Sequence, residues 1–189
     1  MRATLGLPGA CALLAAAVLA GCGAQQSHVQ VPTPAQATRA LAGAPAPLAA
    51  LHGRADTLLS GGKAAFDREL ATLHGRPLVV NGWASWCVPC RSEIAYFQSS
   101  SVAFGKRVAF LGVAVDDAPA ASRTFLRAHW TSYPSFSDQG KQIADAIGIR
   151  LGLPTTVIYD RSGHTFIHQG QYRSAAQLNA DIARYALHA

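Results

Sequence analysis

Two cysteines, Cys87 and Cys90, stand three positions apart in the stretch Trp86-Cys87-Val88-Pro89-Cys90. Thiols at this spacing can close an intramolecular disulfide, contribute to a metal site, or exchange electrons with another thiol pair. If a helix begins at them, they become unequal. At Cys87 the free backbone N–H groups and the positive end of the helix dipole would stabilise a thiolate, making it the exposed, attacking nucleophile. Cys90, one turn on, is expected to be buried and to act second. Reduction then takes two exchanges: Cys87 attacks a substrate disulfide, and Cys90 attacks Cys87 to release the reduced substrate. Oxidation is the same sequence reversed.

Other readings of the pair are weaker on chemical grounds. A closed zinc site takes four ligands, and neither a second cysteine pair nor a suitably spaced histidine pair accompanies Cys87 and Cys90. The seven histidines are dispersed; His164 and His168 could share one face of a strand, but two ligands make a poor site. No metal is expected, and no cofactor beyond the Cys87–Cys90 disulfide itself. A purely structural disulfide gains little here, because closing so short a loop hardly restricts the unfolded chain.

The two remaining cysteines belong to a different part of the 189-residue chain. Met1-Arg2 supplies a positive charge and residues 10–20 form an apolar run containing Cys11, the charge and core of a secretory leader. The run is shorter than the roughly 20 residues a membrane-spanning helix needs. It ends in Leu19-Ala20-Gly21-Cys22, which resembles the bacterial lipobox. That resemblance implies cleavage after residue 21, lipidation of Cys22, and attachment to a bacterial membrane outside the cytoplasm. Residues 22–50, rich in Ala, Pro and Gln, read as a flexible linker from the lipidated cysteine, because so little apolar surface does not offset the entropy of ordering the chain. The folded domain is expected over residues 51–189.

The elements that must position the thiols are legible as periodicities. Residues 77–83 form a compact apolar run, expected as a strand buried on both faces. From Val88 to about Ser101 the pattern turns helical, so the cysteines fall at a strand-to-helix junction. A helix over 63–73 precedes this unit. A second buried strand is expected over 108–115, followed by a helix to about His129, with Asp116 and Asp117 as its cap and Pro119 in its first turn. A short helix over 141–147, a hairpin of 155–159 with 165–169, and a last helix over 174–187 complete the domain. The formal charge of +6 comes from scattered single Lys and Arg residues with no dense basic run, so nucleic acid is not an expected partner.

The stretch Val79-Val80-Asn81-Gly82-Trp83-Ala84-Ser85-Trp86-Cys87-Val88-Pro89-Cys90-Arg91-Ser92-Glu93 resembles the active-site region of exported TlpA/ResA-like thioredoxins. Gly148-Ile149-Arg150-Leu151-Gly152-Leu153-Pro154-Thr155-Thr156-Val157-Ile158-Tyr159-Asp160 resembles that family's cis-proline loop and the strand after it. The likeness runs from about Gly75 to the C-terminus. It implies an α/β, thioredoxin-like fold: a central mixed β-sheet flanked by helices. It also implies that Pro154 is cis beside the disulfide, that the Leu153 backbone pairs with an extended substrate peptide, and that Trp86 and Pro89 belong to the same substrate face. Cytoplasmic thioredoxins place an Asp six residues before the first cysteine, where this chain has the non-titrating Asn81. Glu93, one turn after Cys90, is the candidate proton acceptor instead. Three positions depart from the family pattern: Ala95 stands for a proline, Gly82 for an aromatic, and Thr155 for an acidic residue found in some cytochrome c maturation members.

Three functions fit these residues. The leading one is a membrane-anchored protein disulfide reductase acting on protein thiols outside the cytoplasm, with cytochrome c maturation as one setting and a membrane thiol protein as electron donor or acceptor. A disulfide-forming oxidase of the same fold is the second, and a metal-delivery lipoprotein the third.

Overall fold

A computed structural model describes Met1 and residues 29–188; the expected leader, with Cys11 and Cys22, lies outside the described residues. The centre of the sheet is β2 (Leu78–Trp83), every residue of which is buried. It runs parallel to β3 (Ala109–Val115) and antiparallel to β5 (Thr155–Tyr159), which continues through a hairpin into β6 (Thr165–Gln169). On the other side β3 pairs in parallel with β4 (Ser135–Asp138), and β4 with the two-residue β1 (Leu58–Leu59), giving the order β1-β4-β3-β2-β5-β6. The mixed, helix-flanked sheet agrees with the expected class.

Alternation along β2 and β3 sends side chains into two cores. Leu78, Val80, Leu111 and Val113 pack with Phe66 of α3 (Gly62–Thr72) and Ile143 of α6 (Gln142–Ala146). Val79 and Phe110 face the opposite way, against Phe97 of α4 (Val88–Phe104) and Leu178 of α7 (Ala175–Asp181), which continues as a π-helical segment, Ile182–Leu187. α5 (Pro119–Ala128) covers the end of the sheet nearest the cysteines through Phe125 and Leu126. α4 runs unbroken for 17 residues, since Ala95 keeps the backbone N–H that a proline would lack.

Residues 34–50 correct the linker expectation. Residues 34–41 form α1 (Pro34–Leu41) and residues 46–50 open α2 (Ala46–His52), and Ala37, Leu41, Leu48 and Leu51 are buried. α1 starts with a capping box: Gln36 N–H donates to Thr33 Oγ1 and Thr33 N–H to Gln36 Oε1, with Pro34 in the first turn. Each buried leucine adds about 1.5–3 kcal/mol, enough for short helices to dock on a preformed core. The His52 ring ties α2 down, contacting Gly105 O at 3.0 Å and Ser132 O at 3.3 Å.

No periodicity in the sequence announces β1 or β4. Ser135-Phe136-Ser137-Asp138 is short and mostly polar, but it fits tightly against β3 because Gly112, its in-register neighbour, has no side chain. A Cβ at Gly112 would lie 2.1 Å from Ser135 Oγ and 2.9 Å from Trp83 Nε1.

Candidate active site

Cys87 is the N-cap of α4, and Cys87 and Cys90 are joined as a disulfide with their Cα atoms 5.3 Å apart. The buried strand β2 fixes the approach, and the turn closed by Cys87 N–H on Ala84 O at 3.1 Å delivers Cys87 to the helix start. Cys90 N–H then donates to Cys87 Sγ at 3.2 Å, so the first sulfur lies where a capping side chain would. The expected contrast in access is corrected: Cys87 is 4% exposed and Cys90 2%. Access comes instead from the neighbours, since Trp86 and Val88 are 60% and 71% exposed and Pro89 is exposed beside them.

Glu93 lies one turn beyond Cys90 on α4 and is fully buried. Its Oε2 accepts from the backbone N–H of Tyr172 at 2.8 Å, while its Oε1 has no partner among the described residues. Burial pushes the Glu93 carboxyl up to about 8, against a smaller downward pull from the Tyr172 amide. Asn81 Oδ1, Thr156 Oγ1 and the Tyr133 hydroxyl are likewise buried without a hydrogen-bond partner among the described residues. Asn81 and Thr156 are directly opposite in the β2–β5 register, so both point to the same face of the sheet. Burial raises the Tyr133 phenol above its ordinary range, and the nearby Glu93 raises it further.

The peptide bond Leu153–Pro154 is cis. The register Gly82↔Thr155 puts it at the end of the sheet from which the chain leaves for Cys87. Pro154 is buried, whereas Leu153 packs partly on the cluster of Trp83, Ala84, Cys87 and Cys90. Gly82 packs closely on this loop: a Cβ there would meet Ile149 Cδ1 at 2.6 Å and Thr155 O at 3.1 Å. Trp86 and Leu153 line one groove of about 380 Å³ together with Ile149, Lys141 and Arg150; Pro89 and Pro154 lie outside its lining. Trp83 does not face solvent. It is buried, stacked on Phe125 at 4.7 Å between ring centres, and donates from Nε1 to Ser135 Oγ at 3.2 Å.

Asp116 and Asp117 are not the helix cap that their position suggests; Ala118 is the N-cap of α5, without a side-chain bond. Asp117 is buried, and its carboxylate accepts from Ser85 N–H at 2.9 Å, Ser85 Oγ at 2.8 Å and Ser122 Oγ at 2.7 Å. Asp116 has a left-handed backbone, φ 49°. Its carbonyl accepts from Trp86 Nε1 at 3.2 Å and its carboxylate pairs with Lys141 at 3.1 Å. This partnership of Asp117 with Ser85 joins residues 32 positions apart, and no periodicity reports it. The histidines of the hairpin are occupied separately, His164 with Asp160 at 2.9 Å and His168 with Asp181 at 3.3 Å. Among the described residues no cluster of three or more His, Cys, Asp or Glu side chains could hold a metal ion.

The geometry has counterparts in known proteins. Residues 44–165 match the model of the AhpC/TSA family. The thiol-disulfide oxidoreductase ResA of Bacillus subtilis (strain 168) is 29% identical over 96 residues, which are 50% of this chain and 53% of that protein. The chain thus spans about half the length of the ResA relatives it matches. Among solved structures, a thioredoxin family thiol:disulfide interchange protein from Chlorobium tepidum TLS superposes with a TM-score of 0.55 at 27% identity, covering 60% of this chain and 82% of that one. A secreted Mycobacterium tuberculosis disulfide oxidoreductase homologous to Escherichia coli DsbE shares the fold at TM-score 0.56 and 22% identity, over 60% and 85% of the two chains. A disulfide capping α4, a cis proline at the same sheet end and a family match over residues 44–165 lead to one assignment: the chain belongs to the AhpC/TSA family of thioredoxin-like proteins, and within it is similar to ResA.

Proposed function

We propose that the protein is a thiol–disulfide oxidoreductase that reduces protein disulfides outside the cytoplasm, held at a bacterial membrane by a lipid on Cys22. The observation that carries this reading is the Cys87–Cys90 bond at the N-terminus of α4, with Glu93 buried one turn behind it. Similarity to ResA, named a thiol-disulfide oxidoreductase, supports the activity. The leader and the lipobox-like Leu19-Ala20-Gly21-Cys22 support the location. Among the described residues no helix is long and apolar enough to cross a membrane.

In the reduced protein, the Cys87 thiolate attacks one sulfur of a substrate disulfide, forming a mixed disulfide and releasing the first substrate sulfur as thiolate. Trp86, Pro89, Leu153 and Pro154 are the substrate face, with the substrate running extended past Leu153. The Cys90 thiol then passes its proton to the Glu93 carboxylate and attacks Cys87 Sγ. The second substrate sulfur leaves and the Cys87–Cys90 bond closes. A carboxyl raised to about 8 is matched to this transfer, because its proton affinity is near that of a thiol. The cycle restarts when a membrane thiol protein returns two electrons to the disulfide. Cytochrome c maturation is one setting in which such a reductase works.

The test is a Cys90→Ser variant, in which the second exchange is blocked. It is expected to accumulate mixed disulfides between Cys87 and exported proteins, resolved by non-reducing electrophoresis. A variant that traps no partner contradicts the reading, and stoichiometric metal capture by the reduced pair would favour delivery instead.

A further inference from the structure

The carboxylate of Asp117 is the one buried acid near the cysteines to which the mechanism above gives no role. It accepts three hydrogen bonds, from one backbone N–H and two hydroxyls, at 2.7–2.9 Å. Two of the three come from Ser85, through both its backbone N–H and its hydroxyl. The next residue, Trp86, is held by the neighbouring acid: the left-handed turn at Asp116 aims its carbonyl at the Trp86 indole N–H. The two residues that precede Cys87 are therefore each fastened to one member of the Asp116-Asp117 pair at the end of β3.

That fastening controls where the Cys87 sulfur lies. The turn Ala84–Cys87 ends at the N-cap of α4, and the N-terminal field of a helix falls off within its first turn. A sulfur displaced from that position loses this stabilisation, and Arg91, on the first turn of α4, is exposed and screened by solvent. Ser122, the third donor, lies on α5 and bonds Asp117 Oδ2, the oxygen that also accepts from Ser85 N–H.

We propose that Asp117 is a positioning residue: through Ser85 it holds Cys87 over the N-terminus of α4 in the reduced protein, and so sets how readily Cys87 ionises. This deepens the redox reading of Cys87 and rests on it. Two effects of the carboxylate have opposite signs, which makes the idea testable. As a bare negative charge, Asp117 would disfavour a thiolate at Cys87, and removing it would lower the Cys87 pKa. As a clamp, it favours the thiolate, and removing it raises the pKa.

The measurement is the pH dependence of iodoacetamide alkylation at Cys87, followed by peptide mass spectrometry in the full chain carrying Cys90→Ser. Asp117→Asn is expected to raise the midpoint by about one unit, a tenfold loss of thiolate at pH below the midpoint. Ser85→Ala, which keeps the charge and the backbone N–H bond, is expected to raise it by less. Ser85→Thr restores the hydroxyl and the parent midpoint. A lowered or unchanged midpoint in Asp117→Asn overturns the proposal. Should that variant fail to fold, as judged by circular dichroism, Ser85→Ala decides: a midpoint equal to the parent's overturns it. Failure of the redox reading is distinguishable, because it appears in the parent Cys90→Ser chain as an absence of trapped partners whatever Asp117 does.

Discussion

The backbone N–H of Tyr172 donates to Glu93 Oε2 at 2.8 Å, and Oε1 of that buried carboxyl has no partner among the described residues. The contact joins α4 to the segment after β6 across 79 positions of sequence. It orients a group that burial has pushed up to about 8.

Glu93 makes folding stability depend on pH in a defined direction. Its folded pKa is raised, so between about 4.5 and about 8 the native state binds more protons than the unfolded chain, and stability falls as pH rises. The contribution is fully present below about 4.5 and lost once pH has passed about 8. Glu93→Gln is expected to flatten this limb and to be more stable than the parent at pH 9 by roughly a few kcal/mol. Urea denaturation of the disulfide form at pH 4, 7 and 9 measures it; equal pH profiles for the two proteins would show that Glu93 titrates normally.

The same substitution should slow the second exchange. With no carboxylate to accept the Cys90 proton, release of reduced substrate is expected to fall by about 10²-fold, the low end for losing a general base. Single-turnover release of a mixed disulfide formed on Cys87, followed from pH 6 to 9, is the appropriate assay. The parent should rise through about pH 8 and Glu93→Gln should lose that limb.

Gly82 is expected to accept a side chain only at a cost. In Gly82→Ala the added Cβ meets the Thr155 carbonyl and Ile149, so the loop carrying Leu153–Pro154 must shift. The expected cost is about 1–3 kcal/mol. A lowered kcat/KM on protein disulfides, with little change on a small disulfide reagent, would accompany it.

Much of this was legible in the sequence, and the exceptions share a physical cause. The buried strand at 78–83 and the helix from Val88 showed themselves through unbroken apolarity and a change of period, both local signals. Glu93 was placed by its spacing from Cys90, but its orientation depends on Tyr172, far along the chain. Asp117 resembles a cap because a neighbouring helix start explains an acidic residue cheaply; its partner, Ser85, lies 32 positions away. α1 and α2 were lost in an average: Ala and Pro dominate residues 34–50, and that average hides Leu41 and Leu48, which with Leu51 reach the interior.

That last correction has its own test. Leu48 is fully buried against the core shared with Phe66 and Leu111, so Leu48→Ala should cost about 2–5 kcal/mol. Denaturant titration of the oxidised protein gives the value directly. A change below about 0.5 kcal/mol, typical of an exposed site, would return α2 to the status of a tether.

The central claim is that Cys87 and Cys90 form a two-electron couple poised to reduce other proteins, and redox titration of that couple against a thiol buffer tests it most directly. The account predicts a single two-electron transition near the value of thioredoxin, about −270 mV, with the Cys87–Cys90 disulfide as its oxidised form. A strongly oxidising midpoint, around −120 mV, or a pair that does not titrate reversibly, would contradict it.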